Sequence, residues 1–394
     1  MLTAIDIRLY PTSPQRTMLD KTFGHCRFVY NECPRLNKHK YESEKKLDFN
    51  ISLPDMKTKH DFLKEVSAVA LQQTQRHFNE AMNRFFKMKT DGVGFPKFKK
   101  KSGKNSFTIP MNEPHRKISI KDGKFSIPKI KGIKFRCDKK VDWNGIEIRS
   151  ATVKRSPAMK YYASILVRVP DMEPLPKNNR IIGIDLGVGT FAVTSDGDRI
   201  EPPKFLSKSL NKLRFQQRAL SRCVKGSKNR ERQRLRVARV HEKIANQRKD
   251  FLHKLSRRLI DENQVICLET LGVKRLMEKS ETWMSRAIGD CSWSMFVEML
   301  KYKAERAGRA IVQIGRSFPS SQLCNVCGYR YDPSDFGGVE WSLKIRKWQC
   351  PHCHADHDRD FNAAVNILKE GLKQISGQGL PVEPIYAGGV SRLE

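Results

Sequence analysis

The sequence predicts a multidomain α+β protein that contains an α/β unit and a small metal-stabilised insert. Its 394 residues suffice for two or three domains of about 150 residues each. The spacing of apolar residues changes along the chain from helical to alternating, and then to apolar strands separated by helices. Four cysteines near the end form two Cys-x-x-Cys pairs. These three observations support the predicted fold class.

The charge and composition narrow the classes of function. Lysine and arginine total 75 against 42 acids, a net charge of +33 that repels itself unless a polyanion screens it. Nucleic acid is therefore the first candidate partner. No apolar run is long enough to cross a membrane, and Asp6 and Arg8 stand where a signal peptide needs apolar residues, so no membrane partner is expected. The paired cysteines favour metal binding in a reducing cytosol over disulfides.

The first part of the chain combines one strand with helices. Residues 1–10 alternate like a short strand, after which Ser13 is a candidate helix cap and Pro14 a candidate first helical residue. Apolar residues then recur at helical spacing, and a second such stretch covers about residues 56–90. We therefore expect a helical unit over residues 11–91.

Short β-type runs follow between about residues 92 and 176. They are separated by glycine, proline, asparagine and aspartate, which predicts a small antiparallel barrel or sheet. The basic patch from Lys97 to Lys104 has Phe95, Phe98 and Phe107 interleaved, a composition suited to phosphate contacts and base stacking. A solvated loop beside the sheet explains the same residues equally well.

Residues from 180 onward predict an α/β sheet. Apolar runs at 181–184, 190–194, 264–268 and 310–314 and a short one at 199–200 read as strands, with a helix at about 293–307 before the last. Between them, residues 204–258 predict long helices that carry 19 lysines and arginines and only three acids. Charges that are almost all positive repel one another and destabilise the helices that carry them. This pattern favours nucleic-acid contact over a merely solvated face.

The cysteine pairs predict one structural zinc site. Cys324 and Cys327 form the first pair, and Cys350 and Cys353 the second, with 22 residues between them. Two thiolates from each tight turn complete a tetrahedral shell that leaves no position open for a substrate. The alternative is four reduced cysteines in a core. His352 and His354 are spare candidate ligands, although a histidine beside such a turn is more often a surface residue.

Three carboxylates stand where apolar segments end or begin. Asp185 follows a buried type of strand, Glu269 closes another, and Asp360 opens a helix of about residues 361–372. Burying an unpaired carboxylate is costly, and metal coordination removes that cost. Three such ligands at one edge of a sheet would hold two Mg²⁺ ions about 4 Å apart, an arrangement that hydrolyses phosphodiesters. Each acid, taken alone, could instead be a helix cap or a surface residue.

These segments together resemble the TnpB family of transposon-encoded RNA-guided nucleases. The resemblance covers about residues 1–375, and its motifs occur in the family's order. They are Arg8–Pro11, Cys26–Asn31, Gly94–Lys99, Gly183–Gly187, the strand ending at Glu269, Phe318–Ser321 with the two cysteine pairs, and Asp358–Ile367. The family is related to compact type V CRISPR effectors, so a CRISPR-associated relative is a neighbouring possibility.

The resemblance implies a particular architecture. An RNase H-like (RuvC) nuclease domain would span residues 177–320 and 357–375, with Asp185, Glu269 and Asp360 as its metal-binding catalytic triad. A zinc ribbon would occupy residues 321–356, inserted before the last catalytic helix. A wedge β-barrel, residues 1–10 and 92–176, would be split around a helical recognition domain at 11–91. Residues 376–394 read as a flexible tail, and Asp358 as a helix cap.

The resemblance also implies the function and the partners. We expect an RNA-guided DNA endonuclease of a prokaryotic transposable element, cytoplasmic and associated with the nucleoid. It would act as a monomer with a guide RNA from the transposon end and a double-stranded DNA target, using two Mg²⁺ and one Zn²⁺. A DNA-binding regulator or transposition accessory without cleavage and an unguided nuclease are the rivals. The candidate nucleic-acid contacts are Gln72, Gln75, Arg76, Lys97, Lys99, Lys100, Lys101, Lys104 and Arg359.

Overall fold

The computed structural model describes residues 1–44, 52–87, 94–101, 105–111, 118–138, 141–171, 173–342 and 344–377. The chain divides into two compact units, Met1–Asp171 and Met172–Glu394. Each unit combines helices with a sheet, which confirms the mixed α and β class. Among the residues described, no helix is both long and apolar enough to span a bilayer.

The first unit contains a seven-stranded antiparallel sheet. Its spatial order is β2-β6-β7-β1-β5-β4-β3. The first strand of the chain lies in the middle, with Ile5 opposite Ile165 on one side and Tyr10 opposite Lys134 on the other. The strands are β1 (Leu2–Tyr10), β2 (Asn105–Pro110), β3 (Ser119–Lys121), β4 (Lys124–Ile127), β5 (Ile130–Arg136), β6 (Glu147–Arg155) and β7 (Tyr161–Arg168).

The helices of the first unit share one core with this sheet. The rings of Phe23 and Phe107, one from a helix and one from β2, lie 5.2 Å apart between centroids. The sequence predicted Ser13 as the cap that precedes α1, but α1 already includes Ser13, so the residue before the helix is Thr12. The backbone N–H of Thr12 donates to Gln15 Oε1 at 2.9 Å. The helices are α1 (Ser13–Glu44), α2 (Leu53–Lys59), a 3₁₀ turn (Asp61–Lys64) and α3 (Ala68–Lys87).

The second unit contains a five-stranded sheet in the order β10-β9-β8-β11-β12. The strands β8, β11 and β12 are parallel, whereas β9 and β10 extend the sheet antiparallel at one edge. These strands are β8 (Ile181–Leu186), β9 (Ala192–Thr194), β10 (Arg199–Ile200), β11 (Val265–Glu269) and β12 (Ala310–Ile314). All five coincide with predicted strands to within two residues.

Helices cover both faces of this sheet. Ile182 and Ile184 face a core built with α5 and α8, while Ile181 and Val265 face α9. A parallel sheet buried on both sides explains why its strands read as continuous apolar runs. The helices are α4 (Phe205–Arg222), α5 (Lys228–Glu262), α6 (Val273–Lys279), α7 (Thr282–Cys291), α8 (Trp293–Ala307) and α9 (Arg359–Gly377).

The cysteine-rich insert lies between β12 and α9. It contains a 3₁₀ turn (Pro333–Phe336) and a two-stranded sheet of β13 (Lys347–Gln349) and β14 (Asp356–Asp358). Its small core packs Tyr331 and Trp348 beside the cysteines. The helix α9 extends past the predicted end and includes Ser376 and Gly377. The remainder of the predicted tail, residues 378–394, lies outside the described residues.

Candidate active site and metal centre

Two carboxylates end adjacent parallel strands. Ile184 of β8 is in register with Leu268 of β11, so the next residues, Asp185 and Glu269, stand level at the carboxyl end of the sheet. Their side chains are near enough to influence the pKa values of each other. Sheet register therefore brings together two acids that are far apart in the chain.

The third carboxylate comes from α9. This helix packs closely on β8 at Gly183, where an added Cβ would lie 2.7 Å from the backbone nitrogen of Leu368. No side chain other than hydrogen fits such a distance. The close packing positions the first turn of α9, and Asp360 in that turn is near enough for its charge to act on Asp185.

Burial and mutual repulsion define the electrostatics of the three acids. Burial first, and then the charges of Glu269 and Asp360, raise the pKa of Asp185 well above its usual value, while Arg359 opposes them. Burial also raises the pKa of Glu269. Carboxylate oxygens that are reluctant to ionise without a positive charge nearby suit Mg²⁺ by their chemistry. The donor set therefore fits the predicted ions.

Two arginines bind the carboxylate of Asp360. Arg346 Nη1 lies 3.1 Å from Oδ2, and Arg359 Nη2 lies 3.0 Å from Oδ1. The Arg359 backbone N–H also donates to the Arg346 carbonyl at 2.9 Å. Arg346 belongs to the cysteine-rich insert and was not predicted, because nothing distinguishes it in sequence among 75 basic residues. The predicted phosphate contact Arg359 is only 12% exposed and faces the acid.

Asp358 has a different role from Asp360. Its Oδ1 accepts the backbone N–H of Phe361 at 3.0 Å, and α9 begins at Arg359, so Asp358 is the N-cap of the helix. The same oxygen lies 2.8 Å from Arg199 Nη2. The predicted cap is confirmed.

The four predicted cysteines converge. The Sγ atoms of Cys324 and Cys353 lie 3.5 Å apart, those of Cys327 and Cys350 lie 3.7 Å apart, and all four lie within 4.8 Å of one another. A tetrahedron with Zn–S bonds of about 2.3 Å has S–S edges of about 3.8 Å. The spacing therefore fits one Zn²⁺. Among the described residues, no other set of histidines, cysteines or acids forms such a compact group. The three acids Asp185, Glu269 and Asp360 do not form one either.

A buried histidine supports the cysteine cluster. His357 Nε2 lies 3.0 Å from Cys324 Sγ, and the residue is 4% exposed. A hydrogen bond to a ligand atom of this kind orients it for the metal. His352, a spare candidate in the sequence, stacks its ring on Tyr329, and neither it nor His354 belongs to the cluster. His357 is the middle residue of the short strand β14, and the alternation of side chains along a strand is the sequence signal that could have predicted its burial.

Two asparagines join the cysteine cluster to the helix of Asp360. Asn362 Oδ1 accepts the backbone N–H of Asn325, which lies between the first two cysteines, at 2.9 Å. Asn366, one helical turn later, donates to the carbonyls of Ser320 and Leu323 at 2.9 and 2.7 Å. Both asparagines are buried. They connect the cysteine cluster to the helix of Asp360. These contacts are the reason why two polar residues occur in the otherwise apolar part of the Asp358–Ile367 motif.

The candidate nucleic-acid contacts of the first unit occupy varied surroundings. Gln72 and Arg76 are exposed one turn apart on α3, whereas Gln75 is half-buried. Lys97, Lys100 and Lys101 are exposed. These assignments stay predictions, and Lys104 lies outside the described residues.

Lys99 is exposed as well, but its contacts are well defined. Its ammonium lies 3.7 Å from the centroid of the Tyr30 ring, and its backbone N–H donates to Asn31 Oδ1 at 2.7 Å. Burial lowers the pKa of Lys99. These contacts give it a structural role that the sequence did not indicate.

Comparisons with known families agree with this organisation. A family described as "probable transposase" matches residues 164–280, and one described as "Cas12f1-like, TNB domain" matches residues 293–367. A third, described as a helix-turn-helix domain, matches residues 1–46, where the described residues contain β1 and α1.

Two relatives and one solved structure cover most of the chain. The chain is 35% identical to a "putative RNA-guided DNA endonuclease" of Streptomyces pristinaespiralis, over 94% of its own length and 89% of the relative's. It is 28% identical to one of the same description, InsQ of Escherichia coli K12, over 97% of both. The structure, titled "Cryo-EM structure of the Cas12f1-sgRNA-target DNA complex", has 14% identity and a TM-score of 0.53, covering 93% and 98%.

The fold, the four-cysteine site and these relatives define a class of nucleases encoded by transposable elements. Within that class, the chain belongs to the TnpB family. The family predicted from the sequence motifs is thereby confirmed.

Proposed function

We propose that this chain is an RNA-guided DNA endonuclease that cleaves next to a short adjacent motif, with an RNase H-like (RuvC) centre at Asp185, Glu269 and Asp360. The observation that supports it most directly is the arrangement of β8, β11 and α9, which bring these acids to one end of the sheet. The names of the two relatives that match nearly the whole chain support the guided activity.

The three acids would hold two Mg²⁺ ions, which when bound activate water and stabilise the leaving oxygen of a phosphodiester. The chain's own contribution is positioning. The strands fix Asp185 and Glu269 side by side, and α9 with Arg359 orients Asp360. Divalent cations favour the ionised carboxylates, so they lower the pKa values that burial raises.

One Zn²⁺ held by Cys324, Cys327, Cys350 and Cys353 has a structural role in this proposal. Four thiolates close the shell and leave no site for a substrate. Because Asn362 and Asn366 connect this cluster to α9, zinc supports the placement of Asp360.

A guide RNA derived from the transposon end is the constitutive partner, and the helices of residues 204–258 carry much of the charge that binds it. Pairing of the guide with one strand of a double-stranded DNA target supplies the sequence specificity. The exposed residues of α3 and the Lys97–Lys101 stretch would read the flanking motif. The active particle holds one copy of the chain and acts at the prokaryotic nucleoid.

A guided or unguided DNA-binding regulator, or a transposition accessory without cleavage, is the alternative. It needs the basic surface but not the acids. The presence of all three acids at one end of the sheet favours cleavage, because carboxylates gathered there repel DNA and destabilise the fold without metal.

The test begins with the RNA that co-purifies with the full chain. Sequencing should return one discrete species, and this particle should cut DNA that matches the guide and carries the flanking motif, in the presence of Mg²⁺. Chain stripped of RNA should not cut. Equal cleavage by the stripped chain at the same positions would refute the guided mechanism and leave the nuclease assignment in place.

A further inference from the structure

An open cavity of about 640 Å³ lies beside the edge strand β10. Its walls come from β10, the start of α4 and the second half of α5. The lining includes Arg199, Phe205, Asp250, Phe251, Lys254 and Arg258.

The cavity combines aromatic rings with three cations and two acids, Asp198 and Asp250. Phe205 and Phe251 are half-buried and lie 6.4 Å apart between ring centroids, and Phe251 is fixed from behind by an edge contact with Phe191 at 5.3 Å. At the rim, Lys254 pairs with Asp250 at 2.8 Å, whereas Arg258 is exposed and pairs with no acid among the described residues. An apolar floor with a cation at its edge suits a base attached to a phosphate.

The register of the sheet relates this cavity to the acids. Asp185 is opposite Val193 of β9, and Val193 is opposite Arg199 of β10. Two strand spacings are about 10 Å, close to the length of about three stacked nucleotides at about 3.4 Å each. Arg199 also contacts Asp358, the cap of the helix that carries Asp360. A DNA strand that reaches the three acids therefore passes within reach of the cavity.

We propose that this cavity binds one nucleotide of single-stranded DNA, with the base against Phe205 and Phe251 and the phosphate on Arg258 and Arg199. The proposal rests on the function proposed above, which supplies the DNA strand. A base enters a cavity only when it is not stacked in a duplex, so the ligand is single-stranded. The volume lies within the usual range for small ligands of roughly 300–1,000 Å³.

A matched pair of arginines tests the phosphate contact. Arg257 precedes Arg258 on α5, is also exposed, pairs with Asp261 at 2.8 Å and does not line the cavity. With the full RNA-bound chain and a fluorescent oligodeoxynucleotide at fixed salt, Arg258→Ala should weaken binding about tenfold more than Arg257→Ala. Equal weakening would mean that only overall charge matters, and would overturn the proposal.

The aromatic contact has its own test. Phe251→Leu keeps an apolar residue in the core but removes the stacking surface, and should weaken binding of the same oligonucleotide by about tenfold, with an unchanged melting temperature as the control for folding. An oligodeoxynucleotide carrying iododeoxyuridine should crosslink to Phe205 or Phe251. Crosslinks only elsewhere, or stronger crosslinking by an RNA oligonucleotide of the same sequence, would overturn the assignment.

These results are distinguishable from failure of the proposed function. A chain that cuts guide-matched DNA but gives no crosslink in the cavity retains the function and loses this site. A chain that crosslinks in the cavity but never cuts retains the site as a DNA contact and loses the nuclease function.

Discussion

The cysteine cluster and the carboxylate site are adjacent in the second unit but are assembled differently. The cluster takes its ligands from two local turns, each holding two cysteines three residues apart. The carboxylate site takes one residue from each of β8, β11 and α9, and depends on strand register and on the contact at Gly183. A metal ion can assemble the cysteine cluster from two local turns, whereas the carboxylate site forms only when the sheet has folded.

The comparison also shows that the two sites are not independent. Asn362 and Asn366 bind backbone groups of the cysteine-rich insert, and Arg346 of that insert binds Asp360. The insert therefore contributes to the carboxylate site without supplying any of its three acids. Substitutions in the cluster, in the acids and in the connection should therefore have different effects.

The largest effect is expected from Cys350→Ala. Removing a thiolate opens a closed site whose metal contributes on the order of 10 kcal/mol to folding in small zinc domains. Metal analysis should show the zinc content falling from one per chain to nearly none, with loss of the ordered environment of Trp348. Cys223→Ala, at a half-buried cysteine on the α4–α5 connection, is the control and should keep its zinc. Retention of one zinc by the Cys350 variant would contradict the ligand assignment.

Replacing an acid should abolish chemistry and leave binding intact. Asp185→Ala, Glu269→Ala or Asp360→Ala should each slow DNA cleavage by more than about 100-fold, because outer-shell partners alone are worth about 10–100-fold. Nucleic-acid affinity should change little, since it comes mainly from the basic residues. Chelation of Mg²⁺ should reproduce the effect. Asp356→Ala, at an exposed acid of β14, is the control, and normal cleavage by any triad variant would remove that residue from the centre.

Breaking the connection should produce an intermediate effect. Asn366→Ala leaves the carbonyls of Ser320 and Leu323 without this donor, at a cost of about 1–3 kcal/mol. The melting temperature and the cleavage rate should fall while zinc content stays at one per chain. Asn211→Ala, on the exposed side of α4, should change none of these. Loss of zinc together with activity would mean that the asparagine supports the cluster and not the connection.

The smallest effect is expected at the helix cap. Asp358→Ala removes an N-cap worth about 1 kcal/mol and the pair with Arg199, so cleavage should slow several-fold without stopping. Asp358→Asn keeps the capping oxygen and should recover most of the stability, as measured by thermal unfolding. Complete loss of cleavage in the alanine variant, equal to that of Asp360→Ala, would exchange the roles assigned to the two acids.

The sequence predicted the second sheet well, and the four cysteines that it paired lie together in the structure. Buried strands such as 181–186 and 265–269 are apolar runs bounded by polar residues, and the paired cysteines have a spacing that only a few sites use. It was less accurate at the ends of elements, as at Ser13 and beyond Leu372, because caps and helix ends depend on single hydrogen bonds. The position of the three acids at the ends of apolar segments was only a weak indication of a metal site. The family resemblance was needed to select them.

The sequence by itself determined which local turns carry the paired cysteines, which segments are strands or helices, and that the protein carries a large positive charge. Those properties depend on neighbours a few residues apart. Only the tertiary structure decided that Asp185 and Glu269 lie on adjacent strands at the same end of the sheet, that Arg346 binds Asp360, and that His357 contacts Cys324. These contacts join residues distant in the chain, and their distances follow from sheet register and helix packing, which no local pattern encodes.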